Sequence, residues 1–505
     1  MSLTLGGQLE LTAKKYPSRT ALSFEGRKIS YRELDALSGA FAGSLAALGV
    51  REGGAVAILL NNSPEFAVAY FGIVKAGAAA VPLNTFLTVP EIQYILSDCG
   101  AKIVVTSPEF RDRTEALHGI KIISADELAS PSPLKGEGAG LLPSLPVGEG
   151  GAERRERAVK DEPAAILYTS GTTGKPKGVV LTHENLLSNA RSCVEMFKVT
   201  RKDRFLLFLP MFHAFSFMVC LLLPVTIGAS VIILRSVKPF SNVIKAVVFG
   251  RASFFIAIPP VYNLLSMKRF PKLILRLLPL RICVSGAAPL SRDTLARWEK
   301  NYPIPLLEGY GLTEAAPVVS CNPLDGARKP GSVGLPLPGV ETRILSEDGT
   351  ELPRGQVGEI IVRGPNVMKG YLNAPEATAE TLKDRWLHTG DLGYIDEDGY
   401  IFIVDRKKDL IISHGMNIYP REIEEALYMH PAVRQAAVIG VADEGRGEVP
   451  KAFVSLHEGH DLTEKELKTF LKERIASYKL PRHVVFMEAL PSNATGKILK
   501  KELRK

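Results

Sequence analysis

Cysteine is scarce in this chain. Only five of its 505 residues are cysteines, they lie far apart, and no two of them form a CxxC pair. An odd and scattered set of thiols argues against both a disulfide framework and a zinc site. We therefore expect reduced cysteines and a cytoplasmic protein.

Long apolar runs are also scarce. The first twenty residues lack the apolar core of a secretory signal peptide. One run, FSFMVCLLLPVTIGASVIIL at 215–234, is long enough to span a bilayer. Pro224 and Gly228 interrupt it, however, and VIIL is typical of a strand. The run therefore predicts a buried helix followed by a buried strand, and no transmembrane segment is expected.

The chain has no large excess of charge of one sign. Its formal net charge is +8, from 62 basic and 54 acidic residues. This excess is too modest to indicate a nucleic-acid-binding protein, although it suits anionic ligands such as nucleotides. With 46% apolar residues over this length, we expect a globular protein of two to four domains or subdomains.

Helix and strand patterns alternate along the first 125 residues. Ser30 with Glu33, and Thr88 with Glu91, have the spacing of capping boxes at helix starts. The apolar runs AVAILL and KIVVTS predict strands. The alternation resumes from residue 163, and turn-rich β patterns follow residue 330. An α/β fold with a largely parallel sheet is therefore predicted.

Two regions differ from this pattern. Residues 130–157 are rich in proline and glycine and lack an apolar period, which predicts a solvated loop insertion, with a binding role as the alternative. From DRKKD at 405–409 onward, the pattern is that of a compact α+β domain. We predict a large N-terminal domain over 1–404, with two α/β lobes and a β subdomain, and a small C-terminal domain over 405–505.

The stretch YTSGTTGKPKG at 168–178 combines glycines, hydroxyls and two lysines, which suits phosphate binding. It is not a Walker A loop, because Gly171 and Gly174 are only three residues apart and Lys175 is followed by proline. On composition alone, an ordinary glycine-rich turn remains the alternative.

Four further motifs follow in order. They are GYGLTE (309–314), WLHTGD (386–391), DRKKD (405–409) and NATGKILK (493–500). With the glycine-rich stretch, this ordered set resembles the adenylate-forming superfamily, which includes acyl-CoA synthetases, firefly luciferase and the adenylation domains of nonribosomal peptide synthetases. PMFHAFSF (210–217) and ISHGMNIYPREIE (412–424) are most similar to acyl-CoA synthetases, notably fatty-acid–CoA ligases. The resemblance covers the chain except for 130–157.

The resemblance implies a reaction and its ligands. It implies ATP-dependent ligation of a carboxylic acid to coenzyme A through acyl-AMP, with release of AMP and pyrophosphate. ATP, Mg²⁺ and coenzyme A are the expected ligands, and the C-terminal domain is expected to move. No nucleic-acid partner is expected. Peripheral membrane contact, and either a monomer or a homodimer, are compatible with the sequence.

The resemblance also assigns residues to the nucleotide. Glu314 would hold Mg²⁺, Thr313 would bond the α-phosphate, and Lys497 would stabilise the charge that builds during adenylation. A solvated surface charge is the alternative for Lys497. The residues expected to bind ATP or AMP are Thr169, Ser170, Gly171, Thr172, Thr173, Gly174, Lys175, Gly286, Ala287, Gly309, Tyr310, Gly311, Thr313, Asp391, Arg406 and Lys497.

A second implied set lines the acyl site: His213, Phe215, Val219, Val284, Ala287, Gly309, Gly311, Pro317 and Val318. Apart from His213 these residues are apolar or small, which favours a medium- or long-chain fatty acid, with an aryl or cinnamic-type acid as the alternative. His213 would position the carboxylate or gate the site; the alternative is a buried core histidine. Lys408 is the expected hinge, and Gly415 and Asn417 are expected to act in the thioester-forming state.

Two other functions compete with a CoA ligase. One is an acyl-AMP ligase that loads a carrier protein, and the intact ISHGMNIYP stretch favours free coenzyme A over it. The other is a nucleotide-binding regulator without catalysis, against which the presence of Glu314, Asp391 and Lys497 argues.

Overall fold

The computed structural model describes residues 4–129, 161–169, 175–268, 275, 278–413, 416–443, 447–493 and 496–504. The predicted insertion at 130–157 lies outside these residues.

The strands, in chain order, are β1 (Thr20–Phe24), β2 (Arg27–Ser30), β3 (Ala55–Leu59), β4 (Ala79–Pro82), β5 (Ile103–Thr106), β6 (Lys121–Ser124), β7 (Pro163–Thr169), β8 (Lys177–Thr182), β9 (Arg204–Leu207), β10 (Ser230–Ile233), β11 (Phe254–Ala257), β12 (Ile282–Ser285), β13 (Leu306–Gly311), β14 (Val318–Cys321), β15 (Leu335–Pro336), β16 (Glu341–Leu345), β17 (Gly358–Arg363), β18 (Gly370–Tyr371), β19 (Leu382–Lys383), β20 (Trp386–Ile395), β21 (Ile401–Arg406), β22 (Ile411–Ser413), β23 (Met416–Ile418), β24 (Val433–Asp443), β25 (Gly447–Leu456) and β26 (His483–Phe486).

The α-helices are α1 (Leu5–Lys15), α2 (Tyr31–Ala47), α3 (Pro64–Lys75), α4 (Val89–Cys99), α5 (Arg111–Glu115), α6 (His183–Met196), α7 (Ala214–Ser216), α8 (Leu223–Ile227), α9 (Phe240–Val248), α10 (Pro259–Ser266), α11 (Arg292–Asn301), α12 (Pro375–Thr381), α13 (Pro420–Tyr428), α14 (Glu464–Lys472) and α15 (Lys500–Leu503). A π-helical turn, Phe217–Leu222, joins α7 to α8.

The described strands form four sheets. The first has nine strands in the order β15-β14-β13-β12-β11-β9-β10-β1-β2, and the second has seven in the order β18-β8-β7-β4-β3-β5-β6. Both are parallel at their centres. Antiparallel strands lie at both edges of the first sheet but only at the β18-β8 edge of the second, because β6 pairs with β5 in parallel. A smaller antiparallel sheet joins β16, β17, β19, β20 and β21, and β22 to β26 form the C-terminal sheet. The predicted α/β class, with two lobes, a β subdomain and a small α+β unit, is confirmed.

The local signals account for many of the helix boundaries. Ser30 and Glu33 form a reciprocal capping box at the start of α2, and Thr463 and Glu466 form one at the start of α14. The apolar run at 215–234 forms α7, the π-helical turn, α8 and β10, as predicted. No helix within the described residues is long and apolar enough to cross a membrane.

The largest core lies between the first two sheets. Helix α3 occupies its middle and is buried along almost its whole length, which is why its sequence PEFAVAYFGIVK is apolar on every face. The Phe217 ring lies edge-on to Tyr70 of this helix, with ring centroids 4.7 Å apart, and also contacts Phe66. This contact ties α3 to the segment that follows His213.

Truncation of Phe217 tests the importance of this contact. Phe217 is fully buried, so Phe217→Ala should lower stability by about 3–5 kcal/mol through lost burial and a cavity. Phe86→Ala is the matched control, because Phe86 is 72% exposed and its loss should change stability by less than about 0.5 kcal/mol. Urea unfolding followed by tryptophan fluorescence measures both, and equal stability of the two variants would contradict the description of this core.

Candidate functional site

Residues from separate motifs gather at one edge of the first sheet. Strands β9, β11, β12 and β13 run parallel, so their carboxyl ends lie together. His213 follows β9, Gly286 follows β12, and Tyr310 lies near the end of β13. Ligand sites of parallel α/β sheets are found at this edge.

Asp391 is the most constrained acid of the site. Its carboxylate is only 4% exposed and accepts a hydrogen bond from the Tyr310 hydroxyl at 2.5 Å on Oδ2. The Arg406 Nε lies 3.1 Å from Oδ1. The pairing of β20 with β21 sets Asp391 directly opposite Arg406, so the backbone itself creates this ion pair. Burial and the neighbouring Asp391 raise the pKa of Tyr310, which therefore stays a neutral donor.

Gly311 allows the chain to turn sharply after Tyr310. A Cβ at this position would lie 2.1 Å from the carbonyl oxygen of Pro317, so no other residue fits without moving the backbone. Gly309 is less tightly enclosed, with the Ser320 carbonyl oxygen 3.2 Å from its would-be Cβ. The close return of Pro317 and Val318 onto β13 places Thr313 and Glu314 on a short 3-10 turn between them.

Glu314 lies half-buried on this turn. Its Oε1 accepts a hydrogen bond from the Tyr371 hydroxyl at 3.0 Å, and no ion pair within the described residues neutralises its charge. No group of three or more metal-ligating side chains occurs among those residues. A carboxylate without a direct ion-pair partner among the described residues fits Mg²⁺, which commonly takes one or two carboxylates and completes its shell with water and substrate phosphate.

Lys497 lies on a tight turn at the end of the chain. The Asn493 side chain accepts from the Lys497 N–H at 2.9 Å, and Gly496 has a left-handed φ of 74°. A Cβ on Gly496 would lie 2.9 Å from Ile258, which precedes α10 in the N-terminal part of the chain. The turn is therefore in close contact with the first sheet's lobe.

The charge of Lys497 is influenced by the nucleotide-site residues. The side chain keeps contact with solvent, but the protein around it and the nearby Arg406 lower its pKa to about 8, an effect that Asp391 opposes. Lys497 and Asp391 are 106 positions apart in the chain, and the fold brings their charges within interaction range.

His213 lies on the same side of the site as Lys497. Its Nδ1 accepts a hydrogen bond from the Phe215 N–H at 3.4 Å, and its carbonyl oxygen accepts from the Ser216 hydroxyl at 3.1 Å. Burial, and secondarily Lys497, lower its pKa to about 4, so the imidazole is neutral near pH 7. Both alternatives from the sequence, a site histidine and a core histidine, fit its half-buried position.

The glycine-rich stretch joins two strands of the second sheet. Thr169 ends β7 and pairs with Lys177 at the start of β8. The Lys175 Nζ lies 5.7 Å from the centre of the Tyr94 ring. Ser170, Gly171, Thr172, Thr173 and Gly174 lie outside the described residues, and their predicted roles stay predictions.

Most residues expected at the acyl site share one environment. Val219, Val284 and Val318 belong to the large core, and Phe215 packs against it. The Phe215 Cζ lies 3.0 Å from the would-be Cβ of Gly286, so a side chain at this position would press on the ring and require it to shift slightly. Ala287 is exposed on the following turn, with a left-handed φ of 67°.

The predicted hinge follows β21 directly. Lys408 is exposed on the 3-10 turn Lys407–Asp409, and its pKa is lowered by partial burial and by Arg406. Asp409 accepts from Arg504 at 2.7 Å, and Asp405 accepts from the Arg421 N–H at 2.8 Å. Both acids therefore connect the turn to the C-terminal residues.

Of the two residues expected in the thioester-forming state, the structure describes Asn417. Asn417 is exposed on β23, and no hydrogen bond or ion pair within the described residues joins it to Asp391, Tyr310 or Lys497. Gly415 lies outside the described residues.

Sequence reasoning missed several residues that shape the site. Tyr371 binds Glu314, and Asn62 holds the segment before His213 through the Leu209 carbonyl and the Met211 N–H. Glu308 is buried beside GYGLTE, and its Oε1 accepts from the Leu290 N–H at 3.0 Å, which fixes the end of the SGAAP loop. An acidic residue in a buried strand, directly before GYG, was the sequence signal that could have indicated this role for Glu308.

Glu308 should make stability depend on pH. Burial raises the pKa of Glu308 from 4.5 to about 7. The negative charge of Glu425 adds to this rise, whereas the positive charges of Arg421 and Arg292 oppose it. Its stabilising contribution is thus complete below about pH 4.5 and is lost as the pH rises through about 7. The cost at high pH is on the order of 3 kcal/mol.

Glu308→Gln keeps the acceptor oxygen for Leu290 but does not titrate. Its melting temperature should therefore rise relative to that of the unmodified protein between pH 5 and pH 8. Glu299→Gln, at an exposed position on α11, is the control and should show no such change. A pH-independent difference for Glu308→Gln would contradict the buried carboxyl's role.

Comparison with protein families supports the interpretation of these motifs. Residues 9–372 match the family of AMP-binding enzymes, and residues 422–497 match the AMP-binding enzyme C-terminal domain. The first match alone covers well over half of the chain.

Similar proteins of known name span the whole chain. A long-chain-fatty-acid–CoA ligase from Bacillus subtilis is 36% identical over 99% of this chain and 94% of its own length. A feruloyl-CoA synthase from Amycolatopsis is 39% identical over 98% of this chain and 97% of its own.

A solved structure shares the fold. It is the O-succinylbenzoate coenzyme A synthetase of Bacillus subtilis in complex with ATP and magnesium ion, with a TM-score of 0.86, 33% identity and 99% coverage of both chains. ATP binding by this chain is supported by such neighbours. The chain belongs to the AMP-binding enzymes, as an adenylate-forming acyl-CoA synthetase.

Proposed function

We propose that this protein joins a medium- or long-chain fatty acid to coenzyme A, with ATP as the energy source and acyl-AMP as the intermediate. The observation that carries the proposal is the position of Lys497. Lys497, on the turn that precedes α15, lies within electrostatic reach of Asp391 and Arg406, at the same sheet edge as His213.

In the first half-reaction, a carboxylate oxygen of the acid attacks the α-phosphorus of ATP, and pyrophosphate leaves. Negative charge from two anions builds at one place during this step. Lys497 supplies a cation and Thr313 a hydroxyl donor to this developing charge. Their stabilising effect is greatest where water is partly excluded. A protonated Lys497 is required, and bound phosphate would raise its pKa above the value in the free protein.

The nucleotide would be held by elements on both lobes. Asp391 accepts from the ribose hydroxyls through lone pairs that Tyr310 and Arg406 leave available. The Tyr310 ring and the Gly286–Ala287 turn would enclose adenine. Thr169, Lys175 and the stretch between them would bind the β- and γ-phosphates, and Glu314 would hold Mg²⁺, which neutralises phosphate charge.

In the second half-reaction, the thiolate of coenzyme A attacks the acyl carbonyl carbon, and AMP leaves. Lys497 has no part in this step. We propose that a rotation about Lys408 withdraws Lys497 and brings Gly415 and Asn417 to the acyl-adenylate. Two-state domain motion about a few hinge residues is a common means of dividing two steps at one site.

The apolar lining is the basis for the substrate. Phe215, Val219, Val284 and Val318 present hydrocarbon and no charge, which suits a chain recognised by buried area. The fatty-acid–CoA ligase from Bacillus subtilis supports this assignment. An aryl acid is the second candidate, because a feruloyl-CoA synthase is 39% identical over 98% of this chain, against 36% over 99% for the fatty-acid–CoA ligase.

Replacement of Lys497 separates the half-reactions. Lys497→Ala should slow pyrophosphate–ATP exchange with a fatty acid at least about a hundredfold, since one donor to developing charge is lost. Acyl-CoA formation from supplied acyl-AMP should stay within a few-fold of normal. Lys501→Ala, an exposed lysine on α15, is the control and should change neither rate. Equal loss of both steps in Lys497→Ala would overturn the assignment.

A panel of acids tests the substrate class. AMP release in the presence of coenzyme A should show kcat/KM rising with chain length from eight carbons upward, by at most about fourfold per methylene. Ferulic and cinnamic acids of equal concentration are the comparison. A higher kcat/KM for these acids would favour the aryl assignment, and acyl transfer to a carrier protein but not to coenzyme A would exclude a CoA ligase.

A further inference from the structure

Acidic residues are absent from one long part of the sequence. From Arg204 to Arg292 there are 89 residues with 11 lysines and arginines and no aspartate or glutamate. At the chain's overall frequency of 54 acids in 505 residues, about nine or ten would be expected in a stretch of this length. The excess of +8 for the whole chain is therefore concentrated in this stretch.

Part of this stretch forms an exposed surface that is both basic and apolar. Helix α9 buries Val243, Ala246 and Val247 but turns Ile244, Lys245 and Val248 to solvent. Phe249 follows and is 81% exposed, the largest value among the exposed large hydrophobic residues of the described chain. Arg251 is exposed two residues later.

The end of α10 lies on the same side. Helices α9 and α10 share one apolar cluster, which includes Val243, Val247 and Tyr262, so both cover the same face of the first sheet. Each helix runs back toward the amino ends of the strands, and β11 and β12 are adjacent there. Met267 and Lys268, both exposed, follow α10 at this edge. We call Ile244, Lys245, Val248, Phe249, Arg251, Met267 and Lys268 the basic-apolar surface.

These cations do not serve the nucleotide. His213, Gly286 and Tyr310 leave the sheet at the carboxyl ends of its strands, whereas Phe249 and Arg251 lie near the amino ends. The Arg204 side chain at the start of β9 donates to the Gly250 carbonyl, which fixes this position. Within the described residues, Lys245, Arg251 and Lys268 form no ion pair, in contrast to Arg235, which lies 3.4 Å from Glu25.

We propose that the basic-apolar surface docks the protein on an anionic lipid bilayer. Unpaired cations beside exposed aliphatic and aromatic side chains match the two layers of a membrane interface, with anionic headgroups above hydrocarbon. A second protein copy would carry the same positive charge and would be repelled. The docking depends only on this surface; its use in collecting fatty acid from the bilayer rests on the proposed function.

Binding to vesicles tests the docking without substrate. The full chain should sediment with vesicles of phosphatidylglycerol and phosphatidylcholine and bind vesicles of pure phosphatidylcholine at least tenfold more weakly. Raising the salt concentration should weaken the binding. Each basic residue near such a surface contributes about fivefold, so Lys245→Glu with Arg251→Glu should reduce binding about twenty-five-fold or more.

Variants distinguish the two parts of the surface. Phe249→Ser should weaken binding even at low salt, while Phe86→Ser, another largely exposed phenylalanine, should not. Lys102→Glu with Lys121→Glu is the charge control from the other lobe. Equal binding of neutral and anionic vesicles, or equal losses in the test and control variants, would overturn the proposal.

Two further measurements complete the test. In size-exclusion chromatography, Phe249→Ser should elute at the same volume as the unmodified protein. If the unmodified protein is a dimer that this change dissociates, a second copy covers the surface, and the proposal is overturned. Activity on a soluble short-chain acid should be unchanged in all these variants. A failed acid panel together with intact vesicle binding would reject the proposed substrate but keep the docking.

Discussion

The carboxylate of Asp391 is the constraint on which the site depends. Tyr310 of β13 and Arg406 of β21 both bond to it, so one buried acid joins the first sheet to the antiparallel β subdomain. Arg406 is followed within three residues by Lys408 and Asp409, and Asp409 binds Arg504 near the chain end. Any shift of β21 would therefore move both Asp391, the acid proposed to bind the nucleotide, and the predicted hinge.

The same linkage explains how a residue near the end of the chain reaches the site. Asp405 accepts a hydrogen bond from the N–H of Arg421 at the start of α13, and Lys500 forms an ion pair with Glu424 of that helix at 2.8 Å. These contacts orient the final turn, and Gly496 allows it to approach Ile258 closely. A side chain at Gly496 would crowd the end of the Ile258 side chain and would be strained at this left-handed φ.

Local signals made much of the fold predictable from the sequence. Capping boxes at Ser30 and Thr88 marked helix starts because the side chains act within three residues, and apolar runs marked the buried strands. Long-range partners were not predictable in this way. The bonds from Tyr371 to Glu314 and from Glu308 to Leu290 join residues that only the folded sheets bring together, and no periodicity in the sequence records them. For the candidate site, motif order indicated which residues belong together, while the Asp391–Arg406 register and the burial of Glu308 required the structure.

The most direct test of the account is a single-turnover measurement without coenzyme A. Protein in excess over ATP, with Mg²⁺ and a long-chain fatty acid, is quenched in acid, and the nucleotides are separated. The account predicts one pyrophosphate and one acyl-AMP for each ATP consumed, with acyl-CoA and AMP appearing only when coenzyme A is added. Formation of ADP and phosphate, or consumption of ATP without acyl-AMP, would contradict it.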